Sequence, residues 1–146
     1  MSDDFVDDGE ILYRRIAASR NLYKIKDDGT IEIYSTAFGD RDFKISVDRA
    51  QKCDDNPRYT MGNELGIVAC LVVEQIRNID DLTRNETKDD LQLFKIDVKP
   101  VPLSHNLAHA EIYAIPGIEK RSAFHRLCRR LARLAEMGQW IDLSQS

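Results

Sequence analysis

The chain has 146 residues, 42% of them hydrophobic and 32% charged, with a formal net charge of −4. That length suits one domain with a real core, because a chain of about 150 residues buries roughly 68–70% of the surface it exposes when unfolded; the composition fits a well-solvated surface and argues against disorder. The N-terminus has no signal-peptide pattern and no window approaches the ~18 apolar residues of a membrane span, so a cytoplasmic protein without a membrane partner is expected.

In chain order, residues 1–10 form an acidic tail with five acids and no base, followed by one domain over residues 11–146. Residues 11–18 (ILYRRIAA) fit helix and strand equally. Residues 22–26 and 30–35 alternate apolar with polar around Asp27-Asp28-Gly29, a hairpin whose Asp-Gly step supplies the positive φ of a tight turn. Residues 43–47 (FKISV) read as a further strand, after which Asp48 is placed to cap a helical turn. Residues 54–62 (DDNPRYTMG) read as loop because Pro57 disfavours helix at Asn56.

Residues 66–73 (GIVACLVV) are a short, β-branched apolar run, favouring a buried central strand and then a short helix through residues 74–79; one helix over residues 64–79 is the rival. Residues 80–90 read as a solvated connection. Residues 91–98 alternate as a half-buried strand ended by Pro100 and Pro102, and residues 110–115 alternate again. From about residue 119 to 137 the apolar positions Phe124, Leu127, Cys128, Leu131, Leu134 and Ala135 keep helical spacing, with Gly138 at the expected C-terminal position. Trp140, Ile141 and Leu143 should fold back on the core. The fold class expected is α+β, a mainly antiparallel sheet with a C-terminal amphipathic helix packed on one face.

Cys53, Cys70 and Cys128 are an odd number at wide spacing, giving neither a disulfide framework nor a thiolate zinc site; they read as buried hydrophobes in a reducing compartment. The glycines are scattered, so no phosphate loop and no cofactor motif is present. His105 and His109 stand four apart, but the prolines before them make a poor helix for a metal pair, so no metal site is expected even with Glu111 nearby. His109, at the mouth of a strand, is the candidate acid or base, with Asn106 beside it and Ser35 or Asp48 as polar partners; no serine carries a nucleophile motif.

Charge is unevenly distributed, with six bases against one acid in residues 119–133. Arg126, Arg129, Arg130 and Arg133 project opposite Leu127, Leu131 and Leu134, and like charges at this spacing repel by a few tenths of a kcal/mol per pair. This face is the candidate for docking an acidic partner surface, an RNA backbone, or the N-terminal segment itself. The leading functional expectation is a non-enzymatic binding or regulatory module acting through that helix; the alternative is a small enzyme using His109.

Ser35-Thr36-Ala37-Phe38, Ser46-Val47-Asp48 and Asn106-Leu107-Ala108-His109-Ala110 together resemble a family of short, uncharacterised bacterial proteins. That family pairs S-x-A-F and S-V-D segments with a later N-P-A-H-A segment and ends in an Ala/Arg-rich helix. Leu107 stands where its pattern has proline. The resemblance covers most of residues 11–137 and implies a bacterial source, no assigned activity, and a focus on Asn106, His109, Ser35 and Asp48.

Overall fold

The computed structural model describes residues 5–84 and 92–144. Its frame is a six-stranded, wholly antiparallel sheet. In chain order the elements are β1 (Ile11–Ala17), β2 (Tyr23–Ile25), β3 (Ile31–Ile33), β4 (Ile45–Arg49), α1 (Pro57–Met61) and β5 (Gly66–Val72). Then come α2 (Val73–Arg77), β6 (Lys95–Pro100), β7 (His109–Ile115), α3 (Arg121–Met137) and β8 (Gln139–Leu143). The strand order is β6-β7-β4-β1-β5-β8, and β2 and β3 form a separate hairpin. The fold class is therefore α+β, with α3 laid on one face of the sheet.

The core explains the pattern. From α3, Phe124, Leu127, Cys128, Leu131 and Ala135 are buried against Leu12, Ile16, Ile45, Val47, Ile67 and Ile112. Truncating a side chain such as Leu127 to alanine there costs about 2–5 kcal/mol. The opposite face buries Tyr13, Val68 and Cys70 under Cys53, Met61 and Ala108. β5 is covered on both faces, which is why it reads as an unbroken apolar run and not as an alternation.

Several local expectations resolve. Residues 11–17 form a strand and Ala18 opens a 3₁₀ turn, and residues 66–77 form a strand followed by a short helix, so the single long helix does not form. β4 runs through Arg49, which places Asp48 inside the strand, where it caps nothing; the turn at Ala50–Cys53 follows without a side-chain cap. Residues 54–62 are not all loop: Asn56 accepts the Arg58 N–H as N-cap and Pro57 opens α1, the position where a missing N–H costs nothing. Ser35 begins a 3₁₀ turn, Ser35–Phe38, instead of ending a strand. β6 extends through Pro100, paired with Ala110. Leu91 and most of the connection before it lie outside the described residues, while Leu82 is buried and Thr83 bridges Leu93.

The acidic N-terminal segment, from residue 5 onward, is packed and not a free tail. Val6 is buried, Glu10 pairs with Arg49, and Asp8 pairs with Arg77. Gly138 ends α3 with φ −94 and not in the left-handed region; what it provides is room, since a Cβ there would stand 3.1 Å from Leu134 O. Trp140 and Ile141 return as edge strand β8 against β5. No described helix is long and apolar enough to cross a membrane.

Candidate functional site

β1 and β4 pair at only two positions, Leu12 with Arg49 and Tyr13 with Asp48. Beyond them β1 continues along β5 as far as Ala17 opposite Gly66, and β4 diverges toward β7. The gap is bridged by side chains. Arg14 donates from Nε to Ala37 O (3.0 Å), from Nη1 to Ser46 O (2.8 Å), and to both oxygens of Asp40 (2.8 and 2.9 Å). Asp40 Oδ2 in turn accepts the Ser46 N–H at 2.8 Å. Both main-chain groups of Ser46, which a continuing ladder would have given to β1, are thus satisfied by an ion pair.

A cavity of about 540 Å³ opens at this split, lined by β1, the start of β4, residues 36–40 and the loop before β7. Asp48 and His109 face each other across β4 and β7. The next step of the ladder is made by the Arg49 N–H to Ala108 O at 2.8 Å, so Asp48 and His109 hold the non-hydrogen-bonded position, where opposed side chains approach most closely. Tyr13 continues the same row on β1.

Asp48 is 8% exposed, and both its oxygens are occupied. Asn106 Nδ2 donates to Oδ1 at 2.9 Å and Thr60 Oγ1 to Oδ2 at 2.8 Å. Asn106 Oδ1 accepts from Tyr59 OH (2.8 Å) and from the Ala108 N–H (3.1 Å), which fixes its amide orientation. Partial desolvation raises the Tyr59 hydroxyl above its ordinary value, with the Asp48 carboxylate adding to it, so it stays a donor. The carboxylate of Asp48 therefore ties α1 to the loop before β7.

His109 is held by its ring: Nδ1 lies 2.9 Å from Val101 O. A carbonyl only accepts, so Nδ1 carries a proton, and in the neutral tautomer Nε2 carries the lone pair. The main-chain N–H of His109 also closes a turn on Asn106 O at 3.3 Å. Around the mouth, Arg15 pairs with Glu64 at 3.7 Å and Arg14 with Asp40, so the charged lining is largely balanced within the chain.

Of the four candidate residues, Asp48, Asn106 and His109 line this cavity, and Ser35 does not. Ser35 lines a second cavity of about 1190 Å³ beside α3, with Oγ 3.4 Å from His125 Nδ1. Arg129 Nη2 reaches His125 Nε2 at 3.1 Å. A guanidinium only donates, so Nε2 accepts, Nδ1 carries the proton, and the Ser35 oxygen receives it. That arrangement gives the serine no base, and the expected partnership with His109 is absent. Neighbouring Thr36 lines both cavities. Tyr59 and Thr60 escape a sequence reading that takes residues 54–62 as loop, although Asn56-Pro57 is a helix-start signature. No three described His, Cys, Asp or Glu side chains converge as metal ligands.

Three of the four candidate arginines of α3 are held by acids or carbonyls within the chain, and Arg129 reaches His125. Arg130 Nη1 contacts both oxygens of Asp81 at 2.5 and 2.6 Å, holding that carboxyl below its ordinary range. Arg133 donates to Ile33 O at 2.9 Å and pairs with Glu136 at 3.0 Å. Arg126 donates to Thr83 O at 2.9 Å. The expected row of unneutralised guanidinium groups is therefore broken by Asp81 and the Thr83 and Ile33 carbonyls, far away in the linear sequence, and by Glu136, three residues beyond Arg133. No family model, curated protein or solved structure matches the chain.

Proposed function

We propose that the cavity between β1 and β4 binds a small polar ligand and that His109 exchanges a proton with it through Nε2. Asp48 and Asn106 are positioning residues, holding the loop that carries the histidine. The observation that supports this most is the Nδ1 contact to Val101 O, which orients the ring of a residue that lines a polar cavity and leaves Nε2 without that contact. A side chain restrained in one tautomer beside a hydrogen-bonded carboxylate–amide pair is suited to general acid–base work. Docking of an acidic partner on α3 has less support, because Arg130 and Arg133 already have carboxylate partners.

Screening by NMR with phosphates, carboxylates, sugars and blocked amino-acid amides tests the proposal. Shifts centred on His109, Asn106 and Tyr59 are expected, lost in His109→Ala. Shifts confined to the α3 arginines, or none at all, overturn it. For any compound found to react, His109→Ala should lower turnover about 100-fold or more, the usual contribution of a positioned acid or base.

A further inference from the structure

The hydrogen-bond direction along β1 alternates. Glu10 O accepts the Val73 N–H at 3.1 Å and the Ala18 N–H donates to Leu65 O at 2.9 Å, so even-numbered residues turn their main-chain groups toward β5 and its flanks. Odd-numbered residues turn theirs the other way, toward β4. Tyr13 uses that direction to meet Asp48, but among the described residues no strand pairs with β1 there beyond Tyr13. The corresponding groups on β4, the N–H and C=O of Ser46, are already held by Asp40 and Arg14. Arg15 consequently faces the cavity with its N–H and C=O and Ala17 with its N–H, on alternate residues spaced roughly 7 Å apart, while the Ala17 C=O is taken up as the N-cap of the 3₁₀ turn Ala18–Arg20.

We propose that this open edge of β1 pairs with the main chain of a short extended peptide, which the cavity carries past His109. The inference rests on the cavity being the ligand site and specifies what enters it. A donor, an acceptor and a second donor alternating along the strand complement an extended amide chain, the geometry by which a peptide adds to a sheet edge. A bare phosphate or carboxylate would leave the Arg15 carbonyl unmatched. The balanced charges of Arg14 with Asp40 and Arg15 with Glu64 likewise suit a neutral backbone better than an anion. The edge lies inside a polar recess and not at the rim of the sheet, which shields it from pairing with long strands of other chains.

Amide hydrogen exchange on the full chain tests this, with N-acetylated, C-amidated tetrapeptides of randomised sequence as the probe. In the free protein Arg15 and Ala17 should exchange at least about tenfold faster than Arg14 and Ile16, whose N–H groups point to β5. Saturating peptide should slow Arg15 and Ala17 by about tenfold and leave Arg14 and Ile16 unchanged. The same peptides N-methylated at alternate amides should give no slowing. Ala17→Pro removes only the cavity-facing N–H and should abolish the effect, with continued protection of Ile16 reporting an intact β1–β5 ladder; if that variant fails to fold, the N-methylated peptides carry the test. Equal protection of Arg14 to Ala17 in the free protein overturns the inference, as does equal slowing by methylated and unmethylated peptides. Shifts at His109 with phosphates or sugars, and no slowing with peptides, overturn it while leaving the cavity as a ligand site.

Discussion

Arg14 and Asp40 form a two-pronged ion pair that stands in for two missing rungs of the sheet. Their other contacts take the Ser46 N–H and C=O and the Ala37 C=O, so the split between β1 and β4 exists without orphaned main-chain groups. Asp40→Asn should cost about 2–3 kcal/mol, less than a fully buried pair because Asp40 is one-third exposed. Urea unfolding measures it. A loss under about 0.5 kcal/mol, the size of an ordinary surface change, would contradict the bridging role.

Acid should unfold the protein through three such carboxylates. Burial alone would raise Asp40, Glu10 and Asp97, but bonds to Arg14, Arg49 and Arg77, with main-chain N–H groups, outweigh it and hold all three below their ordinary values. A carboxyl lowered in the folded state takes up its proton more readily when the chain is unfolded. Its contribution is present above the unfolded value near 4 and is lost as pH falls through the folded one. The urea midpoint should hold above about pH 5 and drop steeply below about pH 4. A midpoint unchanged at about pH 3.5 would remove these pairs from the stability account.

The Glu10–Arg49 pair is the most buried, with side chains 4% and 3% exposed. Two 2.8 Å contacts join them, and Arg49 also reaches Phe5 O at 3.1 Å, pinning the N-terminal segment across the sheet. Glu10→Gln leaves a buried guanidinium uncompensated, a loss of about 3–5 kcal/mol, or a fall in Tm of about 6–20 °C for a chain this size. The double change Glu10→Leu with Arg49→Met should recover most of it, since an apolar pair of similar volume is often neutral. If the double variant is as unstable as the single one, the cost lies elsewhere.

How much of this was legible in the sequence follows from which residues carry local signals. The terminal helix, the hairpin around Gly29 and the strand at residues 66–72 could be read because their periodicities and turn residues are local. Asp48, Asn106 and His109 stand out by residue type, yet their convergence depends on the register of β4 against β7, which no local window holds. Ser35 departs from its expected place because the residue after a strand-like run can start a 3₁₀ turn toward either side of a sheet. The arginines of α3 looked unneutralised because Asp81 lies 49 positions earlier and the Ile33 carbonyl 100 earlier. The split between β1 and β4 had no sequence signal beyond the two arginines interrupting residues 11–18.

Gly66 is the residue that lets β1 and β5 meet at the open end of the split, beyond the last β1–β4 pair. Its φ is +155, and a Cβ would fall 2.3 Å from Ile16 O and 2.9 Å from Ala18 N, both main chain and unable to yield. Gly66→Ala should therefore destabilise by about 2–5 kcal/mol, and thermal unfolding reads the change. A variant of unchanged Tm would show that this end of β1 moves freely, and the register that aims Arg15 and Ala17 at the cavity would lose its anchor.

Long-range ¹H–¹⁵N correlation of the His109 imidazole, recorded above the ordinary histidine range at about pH 8, is the most direct test of the proposed acid–base site. The expected spectrum has a protonated Nδ1 and an unprotonated Nε2 that shifts when a ligand enters the cavity. A proton on Nε2 in the free protein, or an Nε2 signal indifferent to every ligand that binds, would contradict it.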